Sequence, residues 1–284
     1  MEASLLLEGR GLRRAFPSRR ARKAVRALRG ADLQVRAGEV VALLGPNGSG
    51  KTTLLHCLLG IVEPEEGEAL LFGAPLGRGD GLRRTGFLPE EDPPWGKLKG
   101  REILEFTALL HGMDRAAARR RAGELLGELG LSGAGERKFR GYSKGMARRL
   151  GLASALVHDP DLLVLDEPTA GLDPLGSALV LEKLLALKER GKGILLASHV
   201  FREVEALADR VVVLSRGLVA AQGPAAQVLA DPEVWELRVR GLDPAGRERL
   251  EGLAARLGEV LRSGPALRGL DEVLRRYSLE DQAP

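Results

Sequence analysis

The chain has 284 residues, 44% of them hydrophobic and 29% charged, with a net charge of +4; this is the balance of a globular protein with room for one large domain and a small appendage. Its apolar runs Val40–Leu44, Leu162–Leu165, Ile194–Ala197 and Val211–Leu214 are core-strand sized, far short of the roughly 20 residues that cross a bilayer, so no membrane span is expected. The single cysteine, Cys57, excludes an internal disulfide, and the four histidines (His56, His111, His158, His199) lack the spacing of a structural zinc site.

The N-terminus, Met1-Glu-Ala-Ser-Leu-Leu-Leu-Glu-Gly, has neither a basic leader region nor a small-residue cleavage site, which predicts no signal peptide and a cytoplasmic location. Short strands are predicted at Leu5–Leu7, Ala31–Val35, Val40–Leu44 and Ala69–Phe72. From Arg10 to Arg29 there are nine basic residues and no acidic one. Such a stretch is either a solvated basic loop or an attractor for a nucleotide or an anionic lipid surface. Aromatic residues that could stack nucleic-acid bases are nearly absent from it, and no specific nucleic acid partner is expected.

After Val40–Leu44 comes Gly45-Pro-Asn-Gly-Ser-Gly50-Lys51-Thr52, which fits the phosphate-loop pattern G-x-x-x-x-G-K-[ST], followed by the helix-like apolar segment Leu54–Ile61. Gly45, Gly48 and Gly50 let the backbone wrap a phosphate chain with its N–H groups turned inward, and the helix adds its positive end. Lys51 supplies a fixed positive charge for the terminal phosphates, and the Thr52 hydroxyl is a ligand suited to Mg²⁺. A glycine-rich turn that binds nothing would have no reason to hold every pattern position between a strand and a helix.

A helical pattern runs from about Arg101 to Leu129, with Ile103, Leu104, Phe106, Leu109, Leu110, Leu125, Leu126 and Leu129 as its apolar positions and an arginine-rich solvated face over 115–121. Met146–Val157 predicts a helix and Leu162–Leu165 a buried strand ending in Asp166-Glu167. Alternation then continues through a helix at Leu175–Arg190, a strand at Ile194–Ala197, a helix at Val200–Ala208 and a strand at Val211–Leu214. Strands apolar on both faces and alternating with helices predict a mostly parallel sheet of the α/β class. Residues 1–223 are read as the main domain, with a helical subdomain at about 91–157. Residues 224–284 are read as a small α/β appendage, built from an alternating segment over 234–240, a helix at Ala245–Leu257 and a last amphipathic helix near 270–277.

The two carboxylates after Leu165 lie at the carboxyl end of a strand, where open α/β sheets bind ligands. Asp166 is assigned to the Mg²⁺ shell and Glu167 to the attacking water, because phosphoryl transfer to water needs charge neutralisation and positioning more than covalent chemistry. Gly141-Tyr-Ser143-Lys-Gly145 also fits the nucleophile elbow G-x-S-x-G, and Asp166 or Asp173 followed by His199 reproduces the order serine, acid, histidine. That alternative, a serine hydrolase, requires an apolar strand before the serine, and the preceding residues 132–140 are polar and glycine-rich.

The same residues resemble the ATP-binding subunit of ABC transporters. Tyr142-Ser143-Lys144-Gly145-Met146 is similar to that family's signature, the phosphate loop and the Asp166-Glu167 strand to its Walker motifs, and Gly171-Leu172-Asp173-Pro174 to its D-loop. Ser198-His199 is similar to its switch histidine, and Thr85-Gly-Phe-Leu-Pro-Glu90 stands at its Q-loop. The resemblance, covering about residues 5–223, implies a P-loop NTPase fold with an N-terminal antiparallel β portion and an Mg²⁺-dependent ATPase. Gly45, Pro46, Asn47, Gly48, Ser49, Gly50, Lys51, Thr52 and Thr53 would hold ATP and Phe16 would stack on adenine. Thr52, Asp166 and Glu90 would surround Mg²⁺, with Glu167, His199 and Lys51 catalytic. Ser143, Lys144 and Gly145 would act in trans on ATP bound to a second copy, with Asp173 at the junction of a homodimer.

Glu90 in place of glutamine, and Tyr-Ser-Lys-Gly-Met in place of the commoner Leu-Ser-Gly-Gly-Gln, resemble a branch associated with multidrug, antibiotic and sodium export. A separately encoded permease is implied, with this chain peripheral on the inner face of the cell membrane. The competing class is a soluble ABC ATPase of DNA maintenance or translation, which needs a long coiled-coil insertion or tandem cassettes, and 284 residues hold neither. A GTPase would need an Asn-Lys-x-Asp motif, which the chain lacks.

Overall fold

The computed structural model describes residues 4–17, 24–91, 93, 95–230, 241 and 243–257. In chain order its elements are β1 (Leu5–Phe16), β2 (Val25–Arg36), β3 (Val40–Leu44), α1 (Lys51–Leu58), β4 (Glu66–Leu71), β5 (Ala74–Pro75), β6 (Thr85–Leu88), α2 (Gly100–Leu110), α3 (Arg115–Glu128) and α4 (Lys144–Leu156). They continue with β7 (Leu162–Asp166), α5 (Pro174–Glu189), β8 (Gly193–Ala197), α6 (Phe201–Leu207), β9 (Arg210–Ser215), β10 (Leu218–Pro224), α7 (Ala225–Val228) and α8 (Pro244–Leu257). The chain divides into two compact units, Met1–Leu229 and Ala230–Pro284.

The first unit contains the expected parallel sheet, in the order β10-β9-β3-β8-β7-β6, with only β10 antiparallel to its neighbour. A second, antiparallel sheet runs β2-β1-β4-β5. The α/β fold class is as the strand and helix alternation predicts. β6 and β10 go beyond the predicted strands. β6 is short and interrupted by Gly86, where a Cβ would lie 2.1 Å from the Ala155 carbonyl of α4. β10 is a largely exposed edge strand of Leu-Val-Ala-Ala-Gln-Gly-Pro, without the apolar alternation that marks a half-buried strand.

The period of two along β7 decides where its side chains go. Leu163 and Leu165 join a core with α2, α3, α4 and α5, while Leu162 and Val164 join a second core with α1 and the antiparallel sheet. Residues on both faces are fully buried, which is why the strand reads as an unbroken apolar run. Asp166 continues the Leu162–Val164 set and so belongs to the face that carries α1.

The helical pattern over 101–129 forms two helices, α2 and α3. The chain turns at His111–Met113, and Asp114 opens α3 as its N-cap, its carboxylate accepting from Ala117 N at 2.9 Å. Phe106, Leu109 and Leu110, read as apolar packing positions, are exposed in this unit, Leu110 to 68%. In the second unit α8 is capped by Asp243, whose Oδ1 accepts from Gly246 N at 2.6 Å. The alternating segment 234–240 and the last helix near 270–277 lie outside the described residues.

Leu163→Ala should cost about 3 kcal/mol, because a fully buried leucine leaves a cavity between the sheet and α4 that rigid neighbours cannot refill. Chemical denaturation of the two proteins should show a lower midpoint with an unchanged slope; an equal midpoint would place Leu163 outside the core.

Candidate functional site

β3 and β7 are separated by β8, and parallel register aligns their ends: Leu43 and Asp166 both pair with Ala197. The turn after β3 and the carboxylates after β7 therefore emerge at one edge of the sheet. The turn is held by contacts that only glycine permits. A Cβ on Gly45 (φ 156°) would lie 2.3 Å from the Leu214 carbonyl, and one on Gly50 (φ 109°) 2.4 Å from that of Ala27. Pro46 accepts from Ser49 N at 3.1 Å and closes the turn; Ser49 in turn accepts from Gly217 N at 2.9 Å. Asn47, Gly48 and Ser49 lie along the loop between Gly45 and Gly50, and Thr53 lies in the first turn of α1.

Lys51 Nζ donates to the carbonyls of Gly45 (2.7 Å) and Pro46 (3.5 Å), so the half-buried lysine lays its ammonium across the turn. Thr52 Oγ1 donates to Asp166 Oδ2 at 3.1 Å. The Ser49 hydroxyl is buried with no hydrogen-bond partner, a polar atom inside the loop that a phosphate oxygen or water would satisfy. Burial raises the Asp166 carboxyl above the ordinary aspartate range; the Thr52 hydrogen bond and the Arg148 charge oppose the rise, while Glu90 and Glu167 add to it. A hydroxyl beside a carboxylate, with two further carboxylates in electrostatic reach, is a hard-oxygen set that suits a divalent cation such as Mg²⁺.

Glu167 departs from the strand. Its φ of 52° is left-handed, a conformation that costs a non-glycine residue roughly 1–2 kcal/mol, and its N–H donates to the Ala197 carbonyl at 2.8 Å. The turn sends the nearly buried carboxylate to His199, whose Nδ1 meets Oε2 at 2.7 Å; the imidazole itself is 69% exposed. The two carboxylates therefore have different partners, as their neighbouring positions at the strand end predict. Glu90 is exposed on the loop after β6. Phe16, at the end of β1, is half-buried, with the Arg14 guanidinium 5.0 Å above its ring.

Ser143 is the N-cap of α4 and accepts from Met146 N at 3.2 Å, with Ser143 and Lys144 exposed. Gly145 and the Lys144 side chain pack on Gly171 and Leu172. Asp173 caps α5, its Oδ1 accepting from Gly176 N at 2.6 Å, and is also exposed. The segment before Ser143 is a short 3₁₀ turn, Phe139–Gly141, and His199 is engaged with Glu167, so the strand and the serine–histidine pair of a nucleophile elbow are missing from this segment.

Around the site, sequence reasoning passed over two buried charges. Glu203 (4% exposed) accepts from Thr169 and, at 3.0 Å, from Ser198, tying the segment before Asp173 to the one before His199. Arg148 (3% exposed) reaches the backbone of four residues around the site. Both stand on the apolar faces of their helices, Glu203 with Val204 and Leu207, Arg148 with Ala147, Leu152 and Ala155. A charge in phase with an apolar stripe is the signal that marks them.

A groove of about 350 Å³ is lined by Leu59, Ile61, Leu82, Thr85, Phe87, Thr107, His111, Ser154 and His158. The two imidazoles stack in parallel at 3.6 Å. Burial lowers the His158 pKa to about 4, with the neighbouring His111 acting in the same direction.

The profile of the family described as ABC transporter matches residues 28–170. An ABC transporter ATP-binding protein of Nostoc sp. is 44% identical over 75% of this chain, which spans 64% of that relative's length, less than two thirds of it. The daunorubicin/doxorubicin resistance ATP-binding protein of Streptomyces peucetius is 39% identical over 83% of the chain and 72% of its own length. Among solved structures, an ATP-binding subunit of an ABC transporter superposes with a TM-score of 0.71 at 32% identity, covering 78% of this chain and 91% of that one.

The raised Asp166 pKa has a stability consequence. Its stabilising contribution belongs to the protonated carboxyl, is present below about pH 4, and is lost as the pH rises through the raised value. Ionised Asp166 is thus a cost at neutral pH, and Asp166→Asn should raise the melting temperature of the metal-free protein at pH 7 by on the order of 2–4 °C. The gain should vanish near pH 4; a lower melting temperature at pH 7 would contradict it.

Proposed function

The chain belongs to the ABC transporter family, and on that premise we propose that it is the ATP-binding and hydrolysing subunit energising export through a separately encoded membrane permease. One observation carries the proposal: the Thr52–Asp166 contact and the Glu167–His199 pair stand together at the sheet edge that carries the phosphate loop. The loop N–H groups from Gly45 to Thr53 and the Lys51 ammonium receive the phosphates, and Phe16 stacks on adenine. Thr52 and Asp166, with Glu90 beside them, would hold Mg²⁺, which would supply positive charge against the phosphate oxygens. Glu167 takes the proton of the attacking water, while His199 fixes the Glu167 carboxylate and reaches toward the γ-phosphate.

Ser143 and Lys144, exposed at the start of α4, and the half-buried Gly145 form a second anion site. We assign it to ATP held by a second copy of the chain, with Asp173 at the junction, so that two copies enclose two nucleotides. The resemblance to a drug-resistance ATP-binding protein supports export as the direction of transport. The groove between β6 and α2 is assigned to a cytoplasmic segment of the permease, which would hold the chain at the inner face of the membrane. Ile61 (55%) and Leu82 (51%) are exposed along it, and Phe106 and Leu110 extend the apolar surface on α2.

Lys51→Ala should abolish hydrolysis and weaken ATP binding, since the phosphates lose a fixed counter-charge. Glu167→Gln should keep ATP affinity while stopping hydrolysis, and light scattering at saturating ATP should find it dimeric. A monomer under those conditions would count against the two-copy enclosure, and wild-type turnover by Lys51→Ala would remove the phosphate-loop assignment.

Ile61→Arg should leave hydrolysis by the isolated chain within about twofold of wild type, because Ile61 lies away from the nucleotide site. It should abolish co-purification with the membrane permease by placing a charge in an apolar contact. Unchanged co-purification would move the docking surface elsewhere.

A further inference from the structure

Arg148 stands on the buried face of α4, and its guanidinium donates four hydrogen bonds to backbone carbonyls. Nε donates to Glu167 O at 2.9 Å and Nη2 to Asp166 O; Nη1 donates to Pro89 O at 2.6 Å and to Glu90 O at 3.2 Å. One guanidinium thus joins three segments that are far apart in sequence: the helix after the signature, the peptides of both site carboxylates, and the loop that leaves β6. Desolvating a guanidinium is costly, and an apolar side chain of similar volume would fill this space without that cost. What the guanidinium adds is a rigid planar fork of five donors, able to hold several carbonyls at once in fixed directions.

The peptide it holds is the strained one. Glu167 has a φ of 52°, and only from that turn does its carboxylate stand 2.7 Å from His199 Nδ1. The Glu167 N–H is tied to β8 through Ala197 O, and its carbonyl is tied to Arg148, so the residue is held on both sides. A non-glycine residue keeps such a conformation when its surroundings over-determine it. The same guanidinium carries the carbonyls of Pro89 and Glu90, three residues or fewer beyond Phe87 in the groove lining.

We propose that Arg148 is a positioning residue for hydrolysis: it locks the left-handed turn that aims Glu167 and makes that turn respond to the position of the Pro89–Glu90 loop. This rests on the reading of Glu167 as the residue that activates water. Displacement of the loop alters one end of the Arg148 fork, and the other end alters the Glu167 peptide. In this role Arg148 acts through the backbone carbonyls it holds and not as a group that reacts with nucleotide or water.

The test uses the full chain with Arg148→Lys, which keeps the charge and loses the fork, and Arg148→Gln, which keeps a small planar donor. Each is measured for melting temperature, for Kd of a fluorescent ATP analogue with Mg²⁺, and for kcat. Positioning predicts kcat at least tenfold lower for Arg148→Lys, with Kd within about threefold of wild type and a cooperative melting transition. A kcat within about twofold of wild type overturns the proposal, and so does a parallel loss of kcat, affinity and melting temperature. If Arg148→Lys does not fold, Arg148→Gln is judged by the same criteria; if neither folds, Arg148 is a core-building residue and the positioning role is overturned. Glu167→Gln serves as the control. Undiminished hydrolysis there would fault the water-activating assignment, whereas its loss there with normal kcat in Arg148→Lys faults the positioning role alone.

Discussion

The hydrogen bond from Thr52 to Asp166 joins residues 114 apart in sequence, and the rest of the site depends on the constraint that produces it. That constraint is parallel register. Because Leu43 of β3, Ala197 of β8 and Asp166 of β7 stand in one row, the phosphate loop and the acidic pair leave the sheet at about the same level. A shift of one residue in β7 would turn Asp166 to the opposite face, toward the helical core, and expose the unbroken apolar run to the wrong partners. Burial of Leu162 and Val164 against α1 on one side, and of Leu163 and Leu165 on the other, is what prevents the slip.

The site is electrostatically uncomfortable without a ligand. Burial raises the carboxyls of both Asp166 and Glu203, Glu167 adds to both, and Ser49 has a buried hydroxyl without a partner. Packing alone does not account for placing these groups together; a bound cation and phosphate chain would relieve all but Glu203, which is already hydrogen-bonded by Thr169 and Ser198. The cost sits in the same few residues to which the proposed chemistry is assigned, as expected where function is held at the expense of stability.

Two helix N-termini extend this logic outward. Ser143 and Asp173 each cap a helix, and each is exposed beside the other's loop, with Gly145 and Lys144 packed on Gly171 and Leu172. Within one copy these residues present two exposed helix N-termini side by side, the edge proposed as a second anion site. Its proposed use by a second copy gives a physical reason for polar, glycine-containing turns where a solvated loop would need neither.

Much of this was determined by sequence alone. The phosphate loop is legible because its chemistry is local: six consecutive dihedral choices, a lysine and a hydroxyl suffice, and all are written in Gly45–Thr52. The strands β3, β7, β8 and β9 are legible because burial on both faces demands continuous apolar runs. β6 and β10, interrupted by glycine or lying at an exposed edge, leave no such trace, and the break at His111–Met113 is hidden inside apolar spacing that looks continuous across it. Only the tertiary structure decided which distant groups meet. The left-handed turn at Glu167, its pairing with His199, and the buried Arg148 and Glu203 are consequences of register and of helix packing between segments tens of residues apart. A side chain's sequence neighbours do not specify those contacts, because their energy arises only when the sheet has closed and water has been excluded.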